Sequence, residues 1–280
     1  MTLPEIILTV FLSVLGAALL LVLFWVFLAA PRGTRRKFEK FTKVRYAHRG
    51  LHGEGAPENS LTAFERACQA GFGIELDIRL SKDGELVVFH DETLSRVCGI
   101  DGKVSDYTAK ELSEFSLSGS SDTVPTFREA LTLVGGRVPL LIELKQAHGE
   151  GSVAEKFLEE IKDYSGEFIV ESFNPFALRK VRRARRDIFL GILSTEYTKE
   201  EKFRGKLSYR QLERLRLNFL VRPDFIAYNK SGYGVTALKL MKKIFKCPLF
   251  AWTVKSEQEE ALARERGFDT VIFEKYIPKA

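Results

Sequence analysis

The chain has 280 residues, 45% of them hydrophobic, with 43 Lys+Arg against 37 Asp+Glu and a formal net charge of +6. That length holds one large domain or two small ones with a self-sufficient core, and the composition excludes a disordered chain and a polytopic membrane protein. Three cysteines, Cys68, Cys98 and Cys247, are too few and too scattered for a disulfide framework or a zinc site.

From Ile6 to Ala30 there are 25 residues without a charge, and only Thr9 and Ser13 carry polar side chains. At about 1.5 Å per residue this run crosses a hydrocarbon core of about 30 Å. A cleaved signal peptide ending at Leu28-Ala29-Ala30 fits less well, because MTLPE has no Lys or Arg and the run exceeds an ordinary h-region. Residues 31–45 then hold seven Lys/Arg and one Glu, so the basic excess is confined there and 46–280 sum to +1. The expected organisation is a membrane helix over 1–30, a basic juxtamembrane linker over 31–43 and a folded domain over 44–280. The basic collar places that domain on the cytoplasmic side, close to anionic lipid, and no nucleic-acid partner is expected.

Beyond the collar, strand patterns fall at Val44–His48, Gly73–Leu80, Glu85–His90, Val138–Lys145, Phe168–Phe173, Ile188–Leu193, Asp224–Asn229, Pro248–Val254 and Asp269–Phe273. Helical patterns lie between them at Ser60–Ala70, Thr126–Leu133, Val153–Tyr164, Pro175–Arg186, Val235–Phe245 and Ser256–Arg266. Alternation of this kind implies parallel pairing. Asp77 to His90 is too short for a crossover helix and Lys82-Asp83-Gly84 signals a turn, so 74–90 reads as one barrel strand extended into a hairpin. Eight parallel strands remain, and the expected fold is a (β/α)8 TIM barrel preceded by one transmembrane helix. Asp91–Pro125 and Ser194–Pro223 read as loop insertions. In Arg179–Arg186, a core stripe of Leu178, Val181 and Ala184 argues for a solvated outer helix. His52 and His148, in Gly-rich loops, are expected to be exposed.

In such a barrel the reactive groups gather at the C-terminal ends of the strands. His48 and Arg49 end the first, Glu75 and Asp77 the second, and Glu143 and Lys145 the third, while His90 returns beside them on the hairpin. Residues two apart on a strand share a face, so three carboxylates meet in one mouth, where they repel without a cation. An all-oxygen set suits Mg²⁺, Ca²⁺ or Mn²⁺ rather than zinc. Arg49 and Lys145 add the positive charge a phosphate needs, and His48 and His90 suit general acid and base. Each piece alone has a plainer reading, such as a solvated strand edge or a structural histidine; their convergence is what points to chemistry.

The same residues carry a resemblance. Ala-His-Arg-Gly (47–50), Pro-Glu-Asn-Ser (57–60), Gly-Ile-Glu-Leu-Asp (73–77), Val-Val-Phe-His-Asp (87–91), Ile-Glu-Leu-Lys (142–145), Ser-Phe (172–173) and Trp-Thr-Val (252–254) together resemble the glycerophosphodiester phosphodiesterase family across 44–280. The resemblance implies a barrel of the phospholipase-C-like type. It also implies a divalent-cation-dependent hydrolase that splits glycerophosphodiesters into glycerol 3-phosphate and an alcohol. It makes His48 and His90 the acid/base pair, Glu75, Asp77 and Glu143 the metal ligands, and Arg49 and Lys145 the phosphate holders, with Trp252 lining the glycerol side. Asp91–Pro125 corresponds to the family's small insertion. Two departures stand out: Ser60 replaces the usual Thr, and Phe273-Glu274-Lys275-Tyr276 replaces the family's Thr-Asp-Arg-Pro-like turn. Given the anchor, membrane lysophospholipids are an alternative substrate to soluble diesters. A tethered, non-catalytic lipid-binding scaffold is the alternative from another class, distinguished by an absence of divalent-ion binding.

Overall fold

In the computed structural model, residues 2–33, 35–146 and 152–279 are described. His148 lies outside them. Nine strands form a single closed sheet: β1 (Tyr46–Ala47), β2 (Gly73–Leu80), β3 (Leu86–Val88), β4 (Leu140–Leu144), β5 (Phe168–Ser172), β6 (Leu190–Ser194), β7 (Phe225–Asn229), β8 (Leu249–Val254) and β9 (Thr270–Phe273). β1 pairs in parallel with both β2 and β9, Tyr46 opposing Gly73 on one side and Ile272 on the other, which closes the barrel. β3 is the exception. It folds back antiparallel on β2, Ile78 opposite Val88, as the turn at Lys82-Asp83-Gly84 requires. Eight parallel strands and their helices make the expected (β/α)8 barrel.

The helices are α1 (Leu3–Ala29), α2 (Arg35–Thr42), α3 (Leu61–Ala70), α4 (Ser95–Cys98), α5 (Ala109–Leu112), α6 (Phe127–Val134), α7 (Val153–Glu160), α8 (Pro175–Ala184), α9 (Leu207–Glu213), α10 (Thr236–Lys243) and α11 (Glu257–Glu265). Several begin with a side-chain oxygen that accepts from an otherwise orphaned backbone N–H, as at Ser60, Thr126 and Ser256. In α8, Ala177, Leu178 and Val181 are buried, but Ala184 is exposed where the helix frays toward Arg185. Nor is that helix's basic run purely solvated, since Arg182 donates to Asp224, Val221 and Ile188 and ties α8 to the start of β7.

Two cores result. The outer one lies between strands and helices. The inner one fills the barrel with Tyr46, Leu141, Ile169, Phe225, Phe250 and Ile272. Gly191 admits Phe225 there, because a Cβ would stand 2.2 Å from that ring. The N-terminal end of this inner core is stopped by α2, within the segment read as a basic linker. Its Phe38 and Phe41 are buried, with Phe38 stacked on Phe225 at 5.1 Å. Three of the collar charges pair with the barrel: Arg32 lies 3.8 Å from Asp224, Arg45 bonds Glu260 at 2.9 Å, and Lys40 pairs with Glu167, while Arg36, Lys37 and Lys43 stay exposed. The excursion 91–125 carries a small core of its own around Phe89, Leu94, Val97 and Leu112.

α1 is the one helix among the described residues long and apolar enough to cross a membrane. Only its last turns touch the barrel. Trp25 borders a cleft with Arg214, Arg216 and the start of α10, at the end where the strands terminate. Four residues on, the Ala29 carbonyl accepts from Asn218, and Arg222 donates to Phe27 and Ala30 near the start of β7. The Arg32 N–H then reaches Pro223. The chain therefore descends the flank of the barrel from the strands' C-terminal end to their N-terminal end. The exposed stretch of α1 before Trp25 departs on the C-terminal side.

Candidate active site

β2 supplies the centre. Glu75 and Asp77, two apart, are both buried, and the parallel register sets Asp77 opposite Glu143 on β4. Oxygens of Glu75, Asp77 and Glu143 lie within 4.8 Å of one another. Lys145 Nζ is 2.9 Å from Glu143 and 3.2 Å from Asp77 Oδ1. The latter contact lacks hydrogen-bond alignment, so this buried oxygen has no hydrogen-bond partner among the described residues. Unequal neighbours split the three carboxyls. Burial raises Glu75 well above its ordinary value, helped by Asp77 and Glu143. Burial also raises Glu143, to about 7, against the pull of Lys145. Asp77 feels the same burial, but Lys145, His90 and Arg49 outweigh it and hold it well below the usual carboxylate range.

A cation fits this set. Three buried carboxylates with an unfilled lone pair, all oxygen, form a hard-ion donor group, and buried like charges need compensation.

The loop after β1 wraps the centre. Arg49 adopts φ +56°, a left-handed conformation that costs a non-glycine residue about 1–3 kcal/mol. Its N–H donates to Glu75 Oε2 at 2.8 Å and its carbonyl accepts from Asn59, so the loop is held from both sides. Gly50, at φ +81°, allows close approach to α3, since a Cβ would lie 2.9 Å from Ala63. The Arg49 guanidinium bonds Glu58 at 2.6 Å and stands 3.5 Å from Asp77. Asn59 of the Pro-Glu-Asn-Ser motif donates to Asp77 Oδ2 at 2.9 Å. The motif thus aims a cation and an amide at one carboxylate.

Each histidine has its own carboxylate. His48 Nδ1 bonds Glu274 at 2.8 Å, and its Nε2 lies 4.0 Å from Glu75. Lys255 braces Glu274 from the other side at 2.8 Å. His90 Nδ1 bonds Asp91 at 2.6 Å, while Arg96 grips Asp91 at 2.5 Å and Glu58 at 2.7 Å. Burial lowers both imidazoles, His90 to about 4, so both are neutral at pH 7. An N–H at each Nδ1 leaves Nε2 as the free basic atom.

Two residues were given no role by the sequence, and a third lies elsewhere than expected. Glu274 sits in the departure after β9, which closes the barrel against β1 and so brings it to His48. Glu171, buried on β5 opposite Glu143, is raised well above its ordinary value by burial and by Glu75 and Glu143. His52 is half-buried rather than exposed, its Nε2 3.9 Å from Glu274. Trp252 packs edge-on to Phe173 at 5.5 Å, and its indole N–H has no partner among the described residues.

The family model for the glycerophosphoryl diester phosphodiesterase family matches residues 48–276. A glycerophosphodiester phosphodiesterase of Caldanaerobacter subterraneus subsp. tengcongensis is 37% identical, over 52% of this chain and 65% of that one. One from Bacillus altitudinis is 38% identical, over 55% and 67%. A phosphodiesterase of Oleispira antarctica, solved in complex with the product sn-glycerol 3-phosphate, superposes with a TM-score of 0.68 and 26% identity, covering 84% of this chain and 94% of that one. The match runs from the first histidine to just past the carboxylate that holds it, taking in every strand between, and the chain belongs to the glycerophosphoryl diester phosphodiesterase family.

Proposed function

We propose that this enzyme hydrolyses glycerophosphodiesters to glycerol 3-phosphate and an alcohol, using a divalent cation and the pair His48 and His90. The observation that carries this reading is the arrangement itself: two histidines, each fixed at Nδ1 by a carboxylate, beside three buried carboxylates flanked by Arg49 and Lys145. The relative solved with glycerol 3-phosphate supports the product side of the reaction.

Glu75, Asp77 and Glu143 would hold the cation, Mg²⁺ or Ca²⁺ first and Mn²⁺ as a further candidate, since an all-oxygen donor set suits these three over zinc. When bound, it supplies Lewis-acid polarisation and neutralises developing charge. Arg49 and Lys145 orient the phosphate oxygens. One imidazole, neutral, takes a proton at Nε2 from the attacking hydroxyl, and the other, once protonated at Nε2 from solvent, gives that proton to the leaving alkoxide. Trp252 closes the glycerol side. Around this site, residues 1–30 form a single-pass anchor, 31–43 join it to the barrel of 44–280, and the barrel stands on the cytoplasmic side.

Replacing either histidine by Ala lowers kcat on glycerophosphocholine by about 10²–10⁴-fold. A nitrophenyl leaving group, which needs no protonation, restores activity to the variant lacking the acid and not to the variant lacking the base. Undiminished turnover in both variants would sink the mechanism. Protease protection of the barrel in right-side-out vesicles, with digestion in inverted ones, checks the sidedness.

A further inference from the structure

The insertion between β6 and β7 has no part in the chemistry so far, yet it builds the wall of a large cleft. The cleft has a volume of about 760 Å³ and shares Phe173 and Trp252 with the active site. Its walls are mainly aromatic and aliphatic, with Glu200 and Lys202 among the polar residues that also line it. Phe203 stacks on Tyr209 at 4.1 Å, Tyr197 packs edge-on to Phe203 at 5.6 Å, and Leu212 and Leu217 complete the side. At the rim Phe176 is 61% exposed. Lys145 Nζ lies 5.9 Å from the Phe173 ring, so the phosphate end of the site and the apolar cleft meet across one side chain. An apolar cleft of this size, open beside a polar reaction centre, is suited to a ligand with a charged head and a hydrocarbon tail.

The path of α1 supplies the tail's source. The same insertion that walls the cleft is bonded to the end of α1 through Asn218 and Arg222. Because α1 departs on the side where the strands end, a bilayer holding it lies against the mouth of the barrel and not against the floor plugged by α2.

We propose that this cleft binds the single acyl chain of a membrane lysophospholipid, drawn from the bilayer, with the headgroup ester at the carboxylate centre. The proposal rests on the phosphodiesterase reading and names its substrate class. Trp252 borders both sites, which puts the chain on the glycerol side of the phosphate. Water gives its hydroxyl to phosphorus as the bond to the headgroup oxygen breaks. The headgroup leaves as the alcohol with the remaining proton, and the acylglycerol phosphate stays.

The test uses the full chain in phosphatidylcholine vesicles, with choline release followed from glycerophosphocholine and from lysophosphatidylcholines of increasing acyl length. The expected result is a kcat/KM that rises with chain length. Phe176→Glu, at an exposed position where folding is not at stake, and Leu217→Trp, which fills the cleft, each lower the long-chain value by about tenfold or more and spare glycerophosphocholine. Activity on glycerophosphocholine without any chain-length dependence, or equal losses on both substrates, would overturn the acyl site and leave the phosphodiesterase reading standing. An enzyme idle on every diester would overturn both.

Discussion

Glu274 has the clearest assignable task of the residues the sequence left aside. Its carboxylate accepts from His48 Nδ1 at 2.8 Å, and that bond holds Glu274 itself well below the usual carboxylate range. Burial lowers His48, and Glu274 pulls in the opposite direction, so removing its charge both frees the ring and makes it less basic. Glu274→Gln is expected to cut kcat on glycerophosphocholine by about 10–100-fold with little change in KM, since it acts through His48 and not on substrate. A KM effect alone would assign it to binding. Asp91 does the same for His90 and also carries a stability signature. Burial works against it, but hydrogen bonds from Arg96 and His90 lower it to about 2, below its unfolded value. Its contribution is therefore complete above that unfolded value and is lost as pH falls toward 2. After allowance for solvent screening it amounts to about 1 kcal/mol. Denaturation of wild type and Asp91→Asn should thus converge as the solution is acidified, and a constant gap would refute the assignment. The strand-end histidines and carboxylates were legible because spacing on a strand fixes the face. Their partners were not. Glu274 reaches His48 only across the seam where β9 closes on β1, 226 residues away.

Legibility at the level of elements followed the same division. Every strand was visible as a short apolar run, and β3 was recognisable as a hairpin arm because a turn signal and a short separation leave no other route. Helix α2 was hidden. Its charges set the tone of residues 31–45, while the two side chains that matter, Phe38 and Phe41, are three apart and read as incidental. Tertiary structure gives them meaning: Phe38 stacks on Phe225 and lies 5.8 Å from the ring of Phe250 across the barrel floor. A segment that looks like a tether is therefore part of the inner core. Phe38→Ala should cost about 3–5 kcal/mol, the range for a fully buried aromatic, whereas Lys37→Ala should cost under about 1 kcal/mol. Chemical denaturation of the detergent-solubilised chain compares the two. Similar values would mean that α2 packs too loosely to count as core.

At the scale of the whole molecule, part of the basic charge that first suggests a lipid-facing collar is taken up within the protein, by Asp224, Glu167 and Glu260, while Arg36, Lys37 and Lys43 stay exposed. The opposite charge gathers inside the barrel mouth. Glu75, Asp77 and Glu143 converge at the upper end of β2 and β4, the strand pair at the heart of the barrel, with Glu171 beside them on β5. Lys145 and Arg49 offset part of that repulsion, and Asp77 Oδ1 lacks an aligned donor among the described residues. Since the barrel closes through every strand, strain at one pair is strain on the whole fold. A divalent ion that binds the folded barrel and not the unfolded chain then stabilises it by mass action, about 2.7 kcal/mol at a hundredfold excess over Kd. Thermal unfolding of the detergent-solubilised protein should therefore shift upward with Mg²⁺ or Ca²⁺ and return on chelation, with no substrate present. Asp77→Asn should abolish the shift, because it removes the carboxylate that Lys145 and Arg49 keep ionised. A shift that survives this substitution would place the stabilising ion elsewhere on the molecule and separate metal binding from the three carboxylates.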